Sequence, residues 1–212
     1  QRFDKVLVAI GRRPNSSRLG LENTSIEADE SGFIAVDDQR RTAEPHVFAI
    51  GDVAGEPMLA HKASQEGRVA AEAIAGRPAA YRPAAVPAVV FTDPEIAWAG
   101  CMEVEARAKG LAYKATRFPW AASGRAATLG RSDGMTKLLI DPQSERILGI
   151  GIVGPGAGEL IGEAMLALEM GADMEDIGLT IHPHPTLVET ICLAAEMAEG
   201  TITDLMPPRK RG

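Results

Sequence analysis

A chain of 212 residues, 45% hydrophobic and 24% charged, is ordinary in composition for a globular protein and long enough for one large domain or two small ones. Its formal charge of −7 argues against a nucleic-acid surface. No apolar run approaches the roughly 18–20 residues that span a bilayer and no signal peptide opens the chain, so no membrane segment is expected.

Gln1 stands where a natural start would have Met, and the apolar run Lys5–Ile10 follows almost at once. That reads as a buried strand ending at Gly11, behind an engineered boundary or a proteolytic cut. Residues 32–36 (GFIAV) and 46–50 (HVFAI) read as two more strands, the second stopping at Gly51-Asp52. An alanine-rich helix is expected over His61–Ala75, closed by Gly76 and Pro78. The proline-rich stretch that follows marks a domain boundary near residue 82. Beyond it the expected elements are a strand over Val86–Phe91, more strand at Ala97, a helix over Met102–Lys109, and strands at Tyr113–Pro119, Met135–Ile140 and Ile147–Val153. The last two are joined as a hairpin through D-P-Q-S-E-R. Two apolar helices end the pattern, one over Gly158–Met170 and one over Leu187–Ala198. Arg209-Lys210-Arg211 behind Pro207-Pro208 reads as a solvated tail rather than a docking signal. Cys101 and Cys192 lie far apart and outside any paired motif, which suggests two buried thiols in a reducing cytoplasm, with no redox or metal role.

Three stretches could carry chemistry. In V-F-A-I-G-D-V-A-G, Gly51 permits close approach of a ligand to the backbone, and Asp52 can accept hydrogen bonds from ligand hydroxyls at a strand's C-terminal edge. The helix starting near His61 would aim its free N–H groups at the same ligand, such as a flavin ring that becomes anionic on reduction. Taken alone, Gly-Asp at a strand end is a common turn, and that plainer reading is the preferred one. In H-P-H-P-T-L-V-E, Glu189 could orient His184 for proton transfer, fixing its tautomer and raising its basicity. Thr186 and Glu189 also match a capping box, which would leave the histidines incidental, and the local pattern leaves both readings open. No further ligand cluster lies near the two histidines, so no metal is expected. The third stretch, G-I-G-I-V-G at 149–154, fits the spacing of a dinucleotide fingerprint, but its glycines alternate with isoleucines inside a strand; phosphate binding is not expected there.

The ordered series V-L-V-A-I-G-R-R-P-N, V-F-A-I-G-D-V, P-M-L-A-H-K-A, F-T-D-P-E-I-A-W-A-G, G-P-G-A-G-E and H-P-H-P-T-L-V-E resembles the pyridine-nucleotide disulfide oxidoreductase family across nearly the whole chain. P-M-L-A-H-K-A and H-P-H-P-T-L-V-E look most like its dihydrolipoyl dehydrogenase branch. The resemblance implies an α+β fold. Residues 1–82 would be the tail of an FAD/NAD-binding α/β region, and 83–212 a dimerisation domain with an antiparallel sheet flanked by helices. It also implies FAD and NAD as cofactors of the intact parent. Gly11 would contact NAD, Asp52 the ribityl chain of FAD, and Met58, Leu59, Ala60 and His61 the flavin ring. His184 would be the catalytic base and Glu189 its orienting carboxylate, serving the other subunit of a homodimer. The implied substrate is dihydrolipoamide on the acyltransferase subunit of a 2-oxo-acid dehydrogenase complex. The family's redox-active C-x-x-x-x-C and glycine fingerprints are not in this sequence, so the chain alone is expected to be inert and to bind FAD and NAD poorly. The alternatives are a glutathione or mercuric reductase of the same family, or a non-catalytic dimerisation or docking module.

Overall fold

A computed structural model describes residues 1–205. The basic tail at 209–211 lies outside the described residues. The chain divides into two compact units, Gln1–Arg82 and Pro83–Gly212.

The second unit is organised by one antiparallel sheet in the order β1-β2-β5-β4-β3, with β1 at Ala88–Val90, β2 at Ile96–Gly100, β3 at Lys114–Pro119, β4 at Met135–Ile140 and β5 at Ile147–Val153. Residues alternate between its faces, as the period of two requires. Thr116, Phe118, Thr136, Leu138, Ile150 and Ile152 are buried along one face. Against that face pack α4 (Ala157–Met170) and α6 (Glu189–Glu199), whose Ile161, Ala164, Ile191, Ala194 and Ala195 join the same core. The helix α2 (Glu103–Ala108) reaches the opposite face, where Glu103 pairs with Arg117 of β3 and Lys137 of β4. The expected antiparallel sheet flanked by helices is therefore present. Two short helices, α3 (Gly124–Thr128) and α5 (Met174–Gly178), were not foreseen. Asp173 caps α5 in a reciprocal box with Asp176.

The G-I-G-I-V-G stretch lies within β5 and its end, as expected of a packed strand. Gly149 pairs with Gly100 and passes so close to the Cys101 backbone that any Cβ would overlap the carbonyl. Glycine at 149 is needed for sheet packing.

In the first unit, α1 runs over Ala60–Ile74 and ends at Gly76, which takes the left-handed conformation (φ +74°). The strand expectations fail here. Residues 5–10 form no ladder, and Val6, Leu7, Val8 and Ile10 are 71–94% exposed. GFIAV and HVFAI make only isolated bridges, Ala28 with Ile34 and Arg41 with Phe48. An apolar run becomes a strand only when a neighbour takes its N–H and C=O groups in a continuous ladder; GFIAV and HVFAI find scattered partners such as Val53 and Arg40, and residues 5–10 form no ladder among the described residues. Ile26, Ile34 and Ala49 form the small core of this unit.

Candidate active site

The segment 180–188 carries two histidines with opposite environments. His182 is held by α4. Its side chain is 6% exposed, Nδ1 donates to the Thr180 carbonyl at 2.7 Å, and Nε2 lies 2.7 Å from Oε1 of Glu163. His184 is 76% exposed, and its Nδ1 lies 2.8 Å from Oε1 of Glu189 at the start of α6. A carboxylate only accepts, so the proton sits on Nδ1 and the neutral ring keeps its lone pair on Nε2.

The two readings of T-x-x-E coexist because Glu189 has two oxygens. Oε1 accepts a hydrogen bond from His184 Nδ1 at 2.8 Å while Oε2 accepts one from the Thr186 backbone N–H at 2.6 Å. Only this half of the box forms. The Thr186 hydroxyl donates to the Pro183 carbonyl instead, and α6 begins at Glu189 behind Val188, two residues later than its apolar pattern suggested. Beneath the helix start, Thr190 bonds to Thr136 at 2.8 Å, and Trp120 Nε1 donates to Thr136 at 3.0 Å. This buried chain ties the residue after Glu189 to the floor of the sheet.

Cys192, one turn further along α6, is half-buried, and burial pushes its thiol up to about 11. Cys101 is also half-buried and shifted upward by burial. Both were expected to be buried; they are partly accessible, but desolvation disfavours the thiolate at either. Among the described residues no group of three His, Cys, Asp or Glu is placed to hold a metal ion, and no helix is long and apolar enough to cross a membrane.

In the first unit, Asp52 is exposed on a single turn of 3-10 helix, Gly51–Ala54, that packs on α1. Gly51 adopts φ +72°, and a Cβ there would approach Ala63 to 3.0 Å, so glycine serves both the turn and the contact. Met58 and Leu59 are half-buried, whereas Ala60 and His61 are exposed at the start of α1. No side chain caps that helix, and Arg12 donates to the Met58 carbonyl at 2.7 Å. An exposed carboxylate, a left-handed glycine and an uncapped helix start suit the hydroxylated, ring-bearing end of a flavin nucleotide. Gly11 is not brought to this place by a strand, and a Cβ added to it would meet nothing within 4 Å.

Sequence reasoning missed two groups. Glu163, which holds His182, had no local signal because it lies 19 residues upstream. Lys62 and Glu66 stand at i,i+4 spacing, a pattern normally read as a solvated pair, yet Glu66 is wholly buried.

Comparison with known proteins adds to this geometry. The family model "Pyridine nucleotide-disulphide oxidoreductase, dimerisation domain" matches residues 86–195, and a second model of the same oxidoreductases matches residues 1–67. A dihydrolipoyl dehydrogenase of Vibrio cholerae is 56% identical over 97% of this chain and 43% of its own length. One of Thermus scotoductus is 54% identical over 91% of this chain and 42% of its own. The chain thus spans less than half the length of these curated relatives. Among solved structures, LpdA of Mycobacterium tuberculosis superposes with a TM-score of 0.82 at 29% identity, over 88% of this chain and 41% of that one. An HOCl-induced flavoprotein disulfide reductase of Escherichia coli gives 0.81 at 26% identity, over 89% and 44%.

Proposed function

The chain belongs to the pyridine nucleotide-disulphide oxidoreductase family, and from that premise we propose that it supplies the acid–base pair and the dimer interface of a dihydrolipoyl dehydrogenase, a cytoplasmic enzyme that converts dihydrolipoamide and NAD⁺ to lipoamide and NADH. The observation that carries this reading is the 2.8 Å contact between Nδ1 of the exposed His184 and Glu189. It leaves Nε2 as the base and gives the imidazolium a carboxylate partner once it is protonated. The base takes a thiol proton from dihydrolipoamide, and the resulting cation stabilises the thiolate beside it. Glu189 keeps the ring from turning because its second oxygen is fixed by the Thr186 N–H.

A bound FAD would supply the relay by which the two electrons of a reduced dithiol reach NAD⁺. From this chain, Asp52 would hold the ribityl hydroxyls, the segment Met58–His61 would line the ring, and Gly11 would approach NAD. Residues 1–82 act as the tail of the nucleotide-binding region and 83–212 as the interface domain. The redox disulfide and the glycine fingerprints come from polypeptide outside these 212 residues, so the chain by itself turns over no substrate. The thiol substrate is carried on the acyltransferase subunit of a 2-oxo-acid dehydrogenase complex. Association as a homodimer is supported by exposed Leu166 and Met170 on α4 and exposed Leu179 and Ile181 in the segment after α5.

The test is His184→Gln in the protein expressed from its whole reading frame, assayed by dihydrolipoamide-dependent NAD⁺ reduction. The expected loss is roughly 10²–10⁴-fold in turnover, the usual size of a general acid–base contribution. An unchanged rate returns the pair to a helix-capping role. Glutathione reduction in its place moves the chain to another branch of the family.

A further inference from the structure

The turn that presents Asp52 is held by more than its own 3-10 backbone. Gly51 N–H donates to Oε2 of Glu66 at 2.6 Å, and Nζ of Lys62 donates to the carbonyls of Gly51 at 3.3 Å and Gly55 at 3.0 Å. Both backbone groups of Gly51 are therefore engaged by side chains of α1. Oε1 of Glu66 is shared by Lys62 Nζ and Arg40 Nη1, each at 3.0 Å. The whole cluster is out of water, with side-chain exposures of 0% for Glu66, 4% for Lys62 and 12% for Arg40.

Such an arrangement is costly, since three charges are desolvated and two cations face one carboxylate. Arg40 reaches it from a left-handed backbone conformation, φ +67°, with its guanidinium over the Tyr81 ring and its Nε buried without a partner. Cohesion alone is better served by apolar side chains of the same volume. What the ions do that apolar groups cannot is fix the orientation of the two peptide units that flank Gly51, the second of which leads directly into Asp52.

We propose that Lys62 and Glu66 are positioning residues that clamp Gly51 and so aim the Asp52 carboxylate at the ribityl hydroxyls of FAD. This rests on the reading of Asp52 as a flavin ligand. A carboxylate free to swing gives up part of its hydrogen bonding to a ligand; one aimed in advance does not.

The experiment uses the protein from the whole reading frame and the variant Lys62→Met, which keeps the buried stem, removes the donor to both carbonyls and leaves Glu66 paired with Arg40. The expected result is an FAD dissociation constant raised about tenfold or more, the scale of losing one hydrogen bond to a charged group. It is read from free-flavin fluorescence on dilution, together with an altered visible band shape in the flavin that stays bound and an unchanged far-UV circular dichroism spectrum. Val69→Ala, buried on the same helix and outside the clamp, controls for lost stability. Equal flavin release from Val69→Ala and Lys62→Met, with wild-type band shape in both, overturns the inference. If Lys62→Met does not fold, Lys62→Gln takes its place, and wild-type FAD affinity in that variant overturns it equally. Asp52→Asn separates the two levels of the argument. Weaker FAD binding in Asp52→Asn but not in Lys62→Met removes the clamp and leaves the flavin site standing. Unchanged binding in Asp52→Asn, or no FAD in the wild-type protein, removes both.

Discussion

The two units of this chain are held together by different physics. The sheet unit buries Phe118, Trp120, Leu138, Ile150 and Ile152 in one continuous apolar core, and its ladder hydrogen bonds run through five strands. Among the described residues the first unit has a core cluster of three buried apolar residues, further buried Val69, Ala70 and Ala73 on α1, two isolated bridges, and a buried ion cluster beside them. The difference teaches where each unit's order comes from. The sheet unit is specified by apolar area removed from water, which tolerates small displacements. The first unit depends on a few directional contacts, which do not.

The largest test of that contrast is Trp120→Ala. Trp120 is fully buried and lies against Gly134 and Gly154, where any Cβ would overlap its ring. Its removal should cost about 3–5 kcal/mol, measured by urea unfolding followed by far-UV circular dichroism. Next comes Glu66→Ala, which strands Arg40 and Lys62 as buried cations and should cost about 3 kcal/mol. Neither tryptophan of the sequence lies in residues 1–82, so this effect is read by hydrogen exchange of the α1 amides rather than by fluorescence. If Glu66→Ala leaves α1 protection unchanged, the ions are not what holds the first unit and the contrast collapses.

A smaller effect concerns reactivity. With its thiol raised to about 11, Cys192 ionises less at pH 8 than a model thiol does. Its alkylation by iodoacetamide should be slow there in the native protein and should climb steadily toward pH 11, because the thiolate is the reactive form. The smallest belongs to Asp38→Asn, which breaks the exposed pair with Arg82. It should change stability by no more than about 0.5 kcal/mol.

Legibility followed the same division. Met135–Ile140 and Ile147–Val153 were readable to the residue, because two largely apolar runs joined by a short polar hairpin are a local fact. Helix α1 was readable within a residue of each end from its alanines and Gly76. KVLVAI was not, because its pattern states only that it can pair, and pairing needs a second strand. At the candidate site, His184 and Glu189 sit five residues apart and were visible together. The His182–Glu163 contact joins two elements, and the Lys62–Glu66 clamp depends on burial that no window of sequence displays.

The chain of hydroxyls from Trp120 through Thr136 to Thr190 has an optical consequence. It couples the buried indole of the sheet unit to the helix turn that begins with Glu189. Whenever that turn lifts from the sheet, Thr136 loses Thr190 and the indole meets water, and its emission shifts to the red. With Trp98 replaced by Phe, Trp120 becomes an intrinsic lamp for the seating of the His184–Glu189 pair, readable without a label, a cofactor or turnover.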